Sequence, residues 1–398
     1  MRFSNCTTLL IASLSGSLSA QPISWQVVPL HPGGATRSEI SAIVGGLQYG
    51  TVILASTGNS QAGYWHSAPA TWTALSNPDT QTVLYGAGAT QQGGQVGWHA
   101  ALWRGTPESL VDLHPLTGAS VSGIASVVGS LEVGGITLIS PASGHAALWH
   151  GTPQSMVDLN PAGGKESLAW ATDGVLQGGY VLWTGSFDNH AVIWQGTAGS
   201  VVDLNPPNAA SEIRAMAPGI QVGFITTAAG DFGALWRGTA ASFVNLGPPG
   251  VTLSKIFATT GAVHAGVMAQ GNLSRAAVNF GTPNSWVGLQ QLLPAPYGGF
   301  SQANAVYQDG PTLYVGGWAQ NGSTGQTEAI LWIGTLPCYA NCDQSTAPPI
   351  LNANDFQCFM NKFVVSDSYT NCDGSVAAPN LNANDFQCFL NTFAAGCS

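Results

Sequence analysis

Three histidines and three aspartates recur in one phrase and are the first candidates for chemistry. HAALWRGTPESLVDLHP fills residues 99–115, and HAALWHGTPQSMVDLNP and HAVIWQGTAGSVVDLNP follow it. His99, His145 and His190, with Asp112, Asp158 and Asp203, carry the groups needed for metal ligation or base catalysis. Yet they hold equivalent places in successive copies. The histidine column becomes Phe232, Arg275 and Glu328, and the aspartate column becomes Asn245 and Gly288, changes a metal ring would not tolerate. The repeat assigns both columns to hydrogen bonds inside each unit, from a strand-start histidine or a turn aspartate to nearby backbone.

Chemistry is better sought where the copies differ. A strand of pattern S-x-I-x-A opens each unit. Its first variable position reads Glu39, Val83, Gly123, Leu168, Glu212, Lys255 and Gln302, and its second reads Ser41, Tyr85, Ala125, Trp170, Arg214, Phe257 and Asn304. Glu39 and Glu212 have the chemistry of an acid–base pair on a sugar. Tyr85, Trp170 and Phe257 can stack on sugar rings, with Arg214 and Lys255 adding charge. The competing use of all these positions is packing between units. No G-x-S-x-G, H-E-x-x-H or P-loop spacing occurs.

The elements that must position these residues follow from the repeat. Aromatic anchors stand at Trp65, Trp103, Trp149, Trp194, Trp236, Phe280 and Trp332, spaced by 38 to 52 residues, and Gly-Thr follows most of them. In the sixth copy Asn279 takes the anchor place and Phe280 comes one position late. Alternation, β-branched residues and Gly or Pro punctuation predict four short strands per unit, as in SGIASVV, SLEVGGITL, HAALWH and SMVDLN. No helical period appears before Leu351. Four strands per forty-odd residues is the period of a β-propeller blade, with the anchor tryptophan filling the gap between neighbours. The last copy stops at LWIGT, and the orphan SWQVVPLHP near the N-terminus matches SLVDLHP. Residues 24–32 are therefore expected to supply the last blade's outer strand, closing a seven-bladed ring and hiding a sheet edge.

HAALW, VDLHP and the QVG of Gln95-Val96-Gly97 and Gln221-Val222-Gly223 resemble the exported repeats named for a His-Ala-Phe signature, the HAF family. The resemblance covers roughly Trp25 to Thr335 and implies an exported, propeller-like domain without an established activity.

Composition narrows the classes further. Nine Lys and Arg face nineteen Asp and Glu, and the arginines are scattered, so no basic patch for nucleic acid exists. Residues 1–20 read as a secretion signal, with Arg2 before an apolar, serine-rich run and small residues at its close; Cys6 would leave with it. Nothing later resembles a membrane span, so the mature chain is expected outside the cell, in solution or at the cell surface. Gln21 to Pro337 holds no cysteine, whereas Cys338, Cys342, Cys358, Cys372, Cys388 and Cys397 crowd the tail. The expected domains are a signal at 1–20, a propeller at 21–336 and a small tail at 337–398.

The tail is itself duplicated: NCDQSTAPPILNANDFQCFMNKF returns as NCDGSVAAPNLNANDFQCFLNTF. It resembles dockerin modules, in particular the variety ending in Gly-Cys. That resemblance implies two EF-hand-type calcium loops, each leading into a helix, and docking to a cohesin-like or other cell-surface protein. The matching ligand positions are Asn341, Asp343, Asn352 and Asp355, then Asn371, Asp373, Asn382 and Asp385. Phe356 and Phe359 are expected on the inner helix face. Tyr339 and Tyr369 replace the usual loop-opening aspartates and extra residues follow Asp343, so calcium binding should be weak. Among the fifteen pairings open to six cysteines, symmetry favours Cys342–Cys358 and Cys372–Cys388, with Cys338–Cys397 clasping the ends. The whole chain then reads as a non-catalytic binding or display propeller for a polysaccharide or protein ligand, anchored through its tail. A polysaccharide lyase or glycosidase at the channel, or a structural matrix protein, are the alternatives.

Overall fold

The structure is a computed structural model and describes residues 23–336, 338–345, 348–372, 375 and 379–396. The expected signal at 1–20, together with Asp373 and Cys397, lies outside the described residues. The chain divides into two units, Trp25–Gly334 and a second that holds the tail from Thr335.

The first unit is a β-propeller. Five of its sheets have four antiparallel strands taken in chain order, such as Ala119–Val128, Leu131–Leu138, Gly144–Trp149 and Val157–Asp158. The remaining sheet has eight strands and consists of two such sets, one from Ala35–Val44 to Thr73–Ala74 and one from Ser301–Asp309 to Thr327–Thr335. A single parallel pair, Arg37 with Thr327, joins the sets. Ser24–Pro29 pairs with Thr327–Thr335, so the N-terminal strand supplies the outer strand of the C-terminal set, as the orphan segment implied. The fourth strands are shorter than the sequence suggests. Val157–Asp158 pairs only with Ala147 and Leu148, because a one-turn helix at Pro153–Ser155 uses the preceding residues.

Anchor tryptophans fill the gaps between sheets. Trp149 lies in one buried cluster with Ile124 and Ile136 of its own sheet and Leu102 and Leu113 of the preceding one. Trp65 closes the ring by packing with Leu30, Ala329 and Leu331. These indoles are fully buried, and in the sixth copy Asn279 sits buried in the anchor register.

Polar groups tie the same gaps. The serine near the start of each inner strand, or Thr82 in one of them, accepts an N–H from the third strand of the preceding sheet. Ser122 Oγ takes Ala100 N–H at 2.8 Å and contacts His114 Nδ1 at 2.8 Å. Ser167 takes Ala146 N–H at 3.0 Å and donates to Asn160 Oδ1 at 2.7 Å. At the seam Ser38 takes Ala329 N–H at 2.8 Å, with His31 Nδ1 at 2.7 Å. Where the VDLHP-like strand ends in His or Asn, at His31, His114, Asn160 and Asn205, that side chain orients the next sheet's serine, which keeps a buried backbone donor satisfied.

Every inner strand also carries a β-bulge. The register slips between Ile40 and Ala42, Leu84 and Gly86, Ile124 and Ser126, Ala169 and Ala171, Ile213 and Ala215, Ile256 and Ala258, and Ala303 and Ala305. Opposite each stands a glycine in the second strand. A Cβ on Gly179 would lie 1.8 Å from the Leu168 carbonyl oxygen and one on Gly94 1.9 Å from that of Val83, so only glycine lets the bulged backbone approach. Gly179→Ala should therefore destabilise the propeller by about 3 kcal/mol or more, whereas Gly199→Ala, where a Cβ meets nothing within 4 Å, should stay within about 0.5 kcal/mol. Urea unfolding of the two variants against the parent checks this.

His264 is buried with its Nδ1 2.9 Å from Thr259 Oγ1 and its Nε2 without a partner. Burial, with Arg237 adding a repulsion, lowers its pKa from 6.5 to about 4. As pH falls through 6.5 towards 4, the unfolded chain takes up a proton that the native state refuses, so this contribution to stability is lost over that window and levels off below it. The loss should reach about 3 kcal/mol. It should shrink in His264→Gln when unfolding is measured at pH 7 and pH 4.5.

Candidate functional site

The bulges decide what faces the channel. In each, the extra residue is the second variable position of the inner strand: Ser41, Tyr85, Ala125, Trp170, Arg214, Phe257 and Asn304. All seven line one cavity of about 450 Å³, together with Arg37, Glu39, Gln302 and Trp318. A bulge leaves one residue unpaired and re-aims its side chain, so the ladder keeps its pairing while the channel receives one independent side chain from each strand.

Within the cavity the Arg214 guanidinium lies 3.8 Å from the Trp170 ring centroid and 5.7 Å from that of Phe257. Burial lowers the Arg214 pKa, and the neighbouring Glu212 opposes that shift. One face of Trp170 is thus taken by a cation and is closed to a sugar ring. Tyr85 is 45 % exposed, and its hydroxyl donates to Gln95 Oε1 at 3.1 Å. Burial raises its pKa and Glu39 adds to the rise, so it stays a neutral donor.

The first variable positions behave differently. Glu39 lines the cavity but pairs with Arg37 at 3.0 Å. Glu212 does not line it: it accepts from Asn189 Nδ2 at 3.0 Å and meets Arg214 Nη1 at 3.5 Å. Lys255 is also outside, held by Asp231 at 2.9 Å over the Phe224 ring. Of the seven proposed channel residues, the structure therefore gathers Glu39, Tyr85, Trp170, Arg214 and Phe257, and leaves Glu212 and Lys255 as ties between neighbouring strands. Arg37 and Trp318 were missed. Arg37 stands two residues before Glu39, on the same face of the strand by period two, a signal open to inspection. Trp318 is brought in by pairing with Gln302, which required the register.

The repeated histidines and aspartates pair with one another: Nδ1 to Oδ2 distances are 2.8 Å for His99–Asp112, 2.7 Å for His145–Asp158 and 2.7 Å for His190–Asp203. Each aspartate's other oxygen takes the backbone N–H two residues on, as at Asn160. The expectation of local bonds holds, but the histidine's partner is the aspartate side chain rather than backbone.

The tail unit has two helices, Ala353–Val364 and Ala383–Ala395, each started by a capping box. Asn352 Oδ1 accepts Asn354 N–H, while the buried Asp355 takes Asp343 N–H at 3.1 Å and Asn352 N–H at 2.9 Å. Likewise Asn382 Oδ1 accepts Asn384 N–H and Asp385 takes Asn382 N–H, each at 2.8 Å. The expected ligands Asn352, Asp355, Asn382 and Asp385 thus all organise backbone. The Oδ1 atoms of Asn341 and Asn371, in contrast, are buried and accept no hydrogen bond, and Asp343, two residues after Asn341, is an exposed carboxylate. Orphaned oxygens of this kind suit a hard cation. Among the described residues no three His, Cys, Asp or Glu side chains gather at one point. Tyr339 hydroxyl donates to the Tyr369 carbonyl at 2.7 Å, Tyr369 returns the bond to the Tyr339 carbonyl, and the rings stack 4.8 Å apart. Phe359 stacks on Phe389 at 4.1 Å and both are fully buried, whereas Phe356 is 39 % exposed, so only Phe359 holds the inner face as expected.

Disulfides join Cys342 to Cys358 and Cys372 to Cys388, the symmetric pairing. Cys338 is disulfide-bonded, and the expected partner Cys397 is not among the described residues. Loops of this size confer about 3 kcal/mol each. Mild reduction of the full chain should therefore make the tail protease-sensitive while the cysteine-free propeller resists, a difference that limited proteolysis and mass spectrometry will show.

No family model matches the chain, and no curated protein does. Among solved structures, a puromycin hydrolase mutant complexed with PGG aligns at a TM-score of 0.50 and 10% identity, over 78% of this chain and 56% of that one. The chain thus spans little more than half of that protein's length, and the likeness is one of fold. Further off are the β-propeller domain of the Trilobed protease from Pyrococcus furiosus (TM-score 0.45, 7% identity, 75% and 94% covered) and an α-L-arabinofuranosidase from Fusarium graminearum bound to an iminosugar inhibitor (0.36, 10%, 77% and 96%). Among the described residues no helix is long and apolar enough to cross a membrane.

Proposed function

We propose that this chain is an exported binding or display protein: a seven-bladed, HAF-type propeller whose channel holds a ligand without reacting with it, joined to a dockerin-like anchoring tail. The eight-stranded sheet counts as two blades in this reading, since one residue pair links its halves. The observation that carries the function is the lining of the channel cavity. Glu39 is its one carboxylate among the described residues, and that group is held by Arg37. Glycosidic cleavage by the common route needs two carboxylates facing each other across the bond. What the cavity offers instead is Tyr85 and Trp318 as aromatic surface, with Gln302, Asn304 and paired arginines as hydrogen-bonding groups, a composition suited to a neutral polysaccharide. Incubating the full chain with a panel of polysaccharides should give retention on the polymer without new sugar ends. Tyr85→Ala and Trp318→Ala should each weaken retention about tenfold, the loss of one stacked ring. Release of reducing or unsaturated ends would replace the binding reading with an enzymatic one.

The tail is proposed to dock to a cohesin-like or other cell-surface protein and to take calcium weakly. Asn341, Asp343 and Asp355 would hold one ion and Asn371 and Asp385 would contribute to a second. The buried, unpaired Asn341 and Asn371 oxygens support this, and with few carboxylates the affinity belongs in the range of extracellular modules, about 0.1–1 mM. Calcium at 5 mM should slow proteolysis of the tail and calcium at 10 µM should not; Asn341→Ala should reduce the effect.

A further inference from the structure

One of the repeated histidine–aspartate pairs differs from its counterparts. His145 Nδ1 lies 2.7 Å from Asp158 Oδ2, and its Nε2 lies 3.0 Å from Ser143 Oγ. Asp158 is itself oriented by the Asn160 N–H on Oδ1 at 2.8 Å. With Nδ1–H directed to the carboxylate, Nε2 is the acceptor that faces the hydroxyl. Gly97 and Asp188 stand where Ser143 does, two residues before His99 and His190, so neither of those pairs ends on a hydroxyl.

We propose that Ser143, His145 and Asp158 form a nucleophilic array that hydrolyses small carboxylic esters. Ser143 is half-buried in a hairpin closed by the Leu138 N–H to the Ser143 carbonyl at 2.9 Å. Gly144 and His145 wall a second cavity of about 360 Å³, which shares Tyr85, Ala125 and Trp170 with the channel cavity and whose other sides include Ile136, Leu168 and Tyr180, an apolar space for a short acyl chain. Asn160 Nδ2 donates one hydrogen to the Gly164 carbonyl at 3.0 Å and faces His145 Nε2 with the other at 3.4 Å, which helps to hold the imidazole in place.

In the reaction the Ser143 proton passes to His145 Nε2 as Oγ bonds to the ester carbonyl carbon. The carbon–alkoxy bond then breaks, and the alcohol leaves with that proton. Water attacks the acyl-serine, gives a proton through His145 back to Ser143 and releases the carboxylic acid. This activity does not rest on the channel's proposed ligand.

The test uses the full chain with a fluorophosphonate probe and with p-nitrophenyl acetate and butyrate. The expected result is a label on Ser143 by peptide mass spectrometry, and ester turnover that falls at least a hundredfold in Ser143→Ala and His145→Gln. Asp158→Asn should fall at least tenfold. His99→Gln and His190→Gln, which lack the serine, should match the parent and so separate this array from general histidine reactivity. Circular dichroism and unfolding midpoints of all variants against the parent separate lost chemistry from lost fold. No label on Ser143, or turnover in folded Ser143→Ala equal to that of the parent, overturns the proposal.

Discussion

The close approach of two backbones at each inner-strand bulge is the constraint on which the propeller depends. At Gly50, Gly94, Gly134, Gly179, Gly223, Gly266 and Gly317 a carbonyl oxygen of the inner strand occupies the space of a Cβ. That approach lets the strand carry one residue more than its partner, and the extra residue is the one turned into the channel. Fold and site are therefore coupled through glycine. The identity of the channel side chain, in contrast, is free, because the bulged position makes no ladder pair. This explains how Ser, Tyr, Ala, Trp, Arg, Phe and Asn can hold equivalent places without disturbing the sheets.

The spaces between sheets are governed by the opposite rule, in which identity is largely fixed. A buried tryptophan stands at every anchor but that of Asn279, and a serine or, at Thr82, a threonine hydroxyl recurs at the gaps, the first excluding water and the second satisfying a buried N–H. The indole N–H groups of Trp65, Trp103, Trp149, Trp194, Trp236 and Trp332 find no acceptor, so volume and flatness decide the choice of tryptophan there and its polar edge contributes nothing. The tail solves its small-core problem differently. Two disulfides, two capping boxes and a reciprocal tyrosine clasp surround a stacked Phe359–Phe389 pair.

Much of the fold was legible in the sequence because repetition turns weak local signals into a strong one. The four-strand unit, the anchor tryptophans, the completing N-terminal strand and the two symmetric disulfides all follow from aligning the copies. The bulges were not legible as such, and they are what turns the second variable column towards the cavity. Glu212 and Lys255 were misplaced because sequence gives the column of a side chain and not its rotamer; both reach sideways to Asn189 and Asp231 instead of inward. Ser143 escaped for the same reason. Its hydroxyl has meaning only once the hairpin brings it to His145.

Strand Ser24–Pro29 lies beside Thr327–Thr335, with Leu30 N–H on the Ala329 carbonyl at 2.8 Å. The beginning and the end of the propeller therefore meet inside one sheet. Its circular order is complete while its linear order is arbitrary. A gene that joined residues 24 and 335 by a short linker and opened instead at an exposed turn, such as that at Gly185, would encode the same ring with new ends.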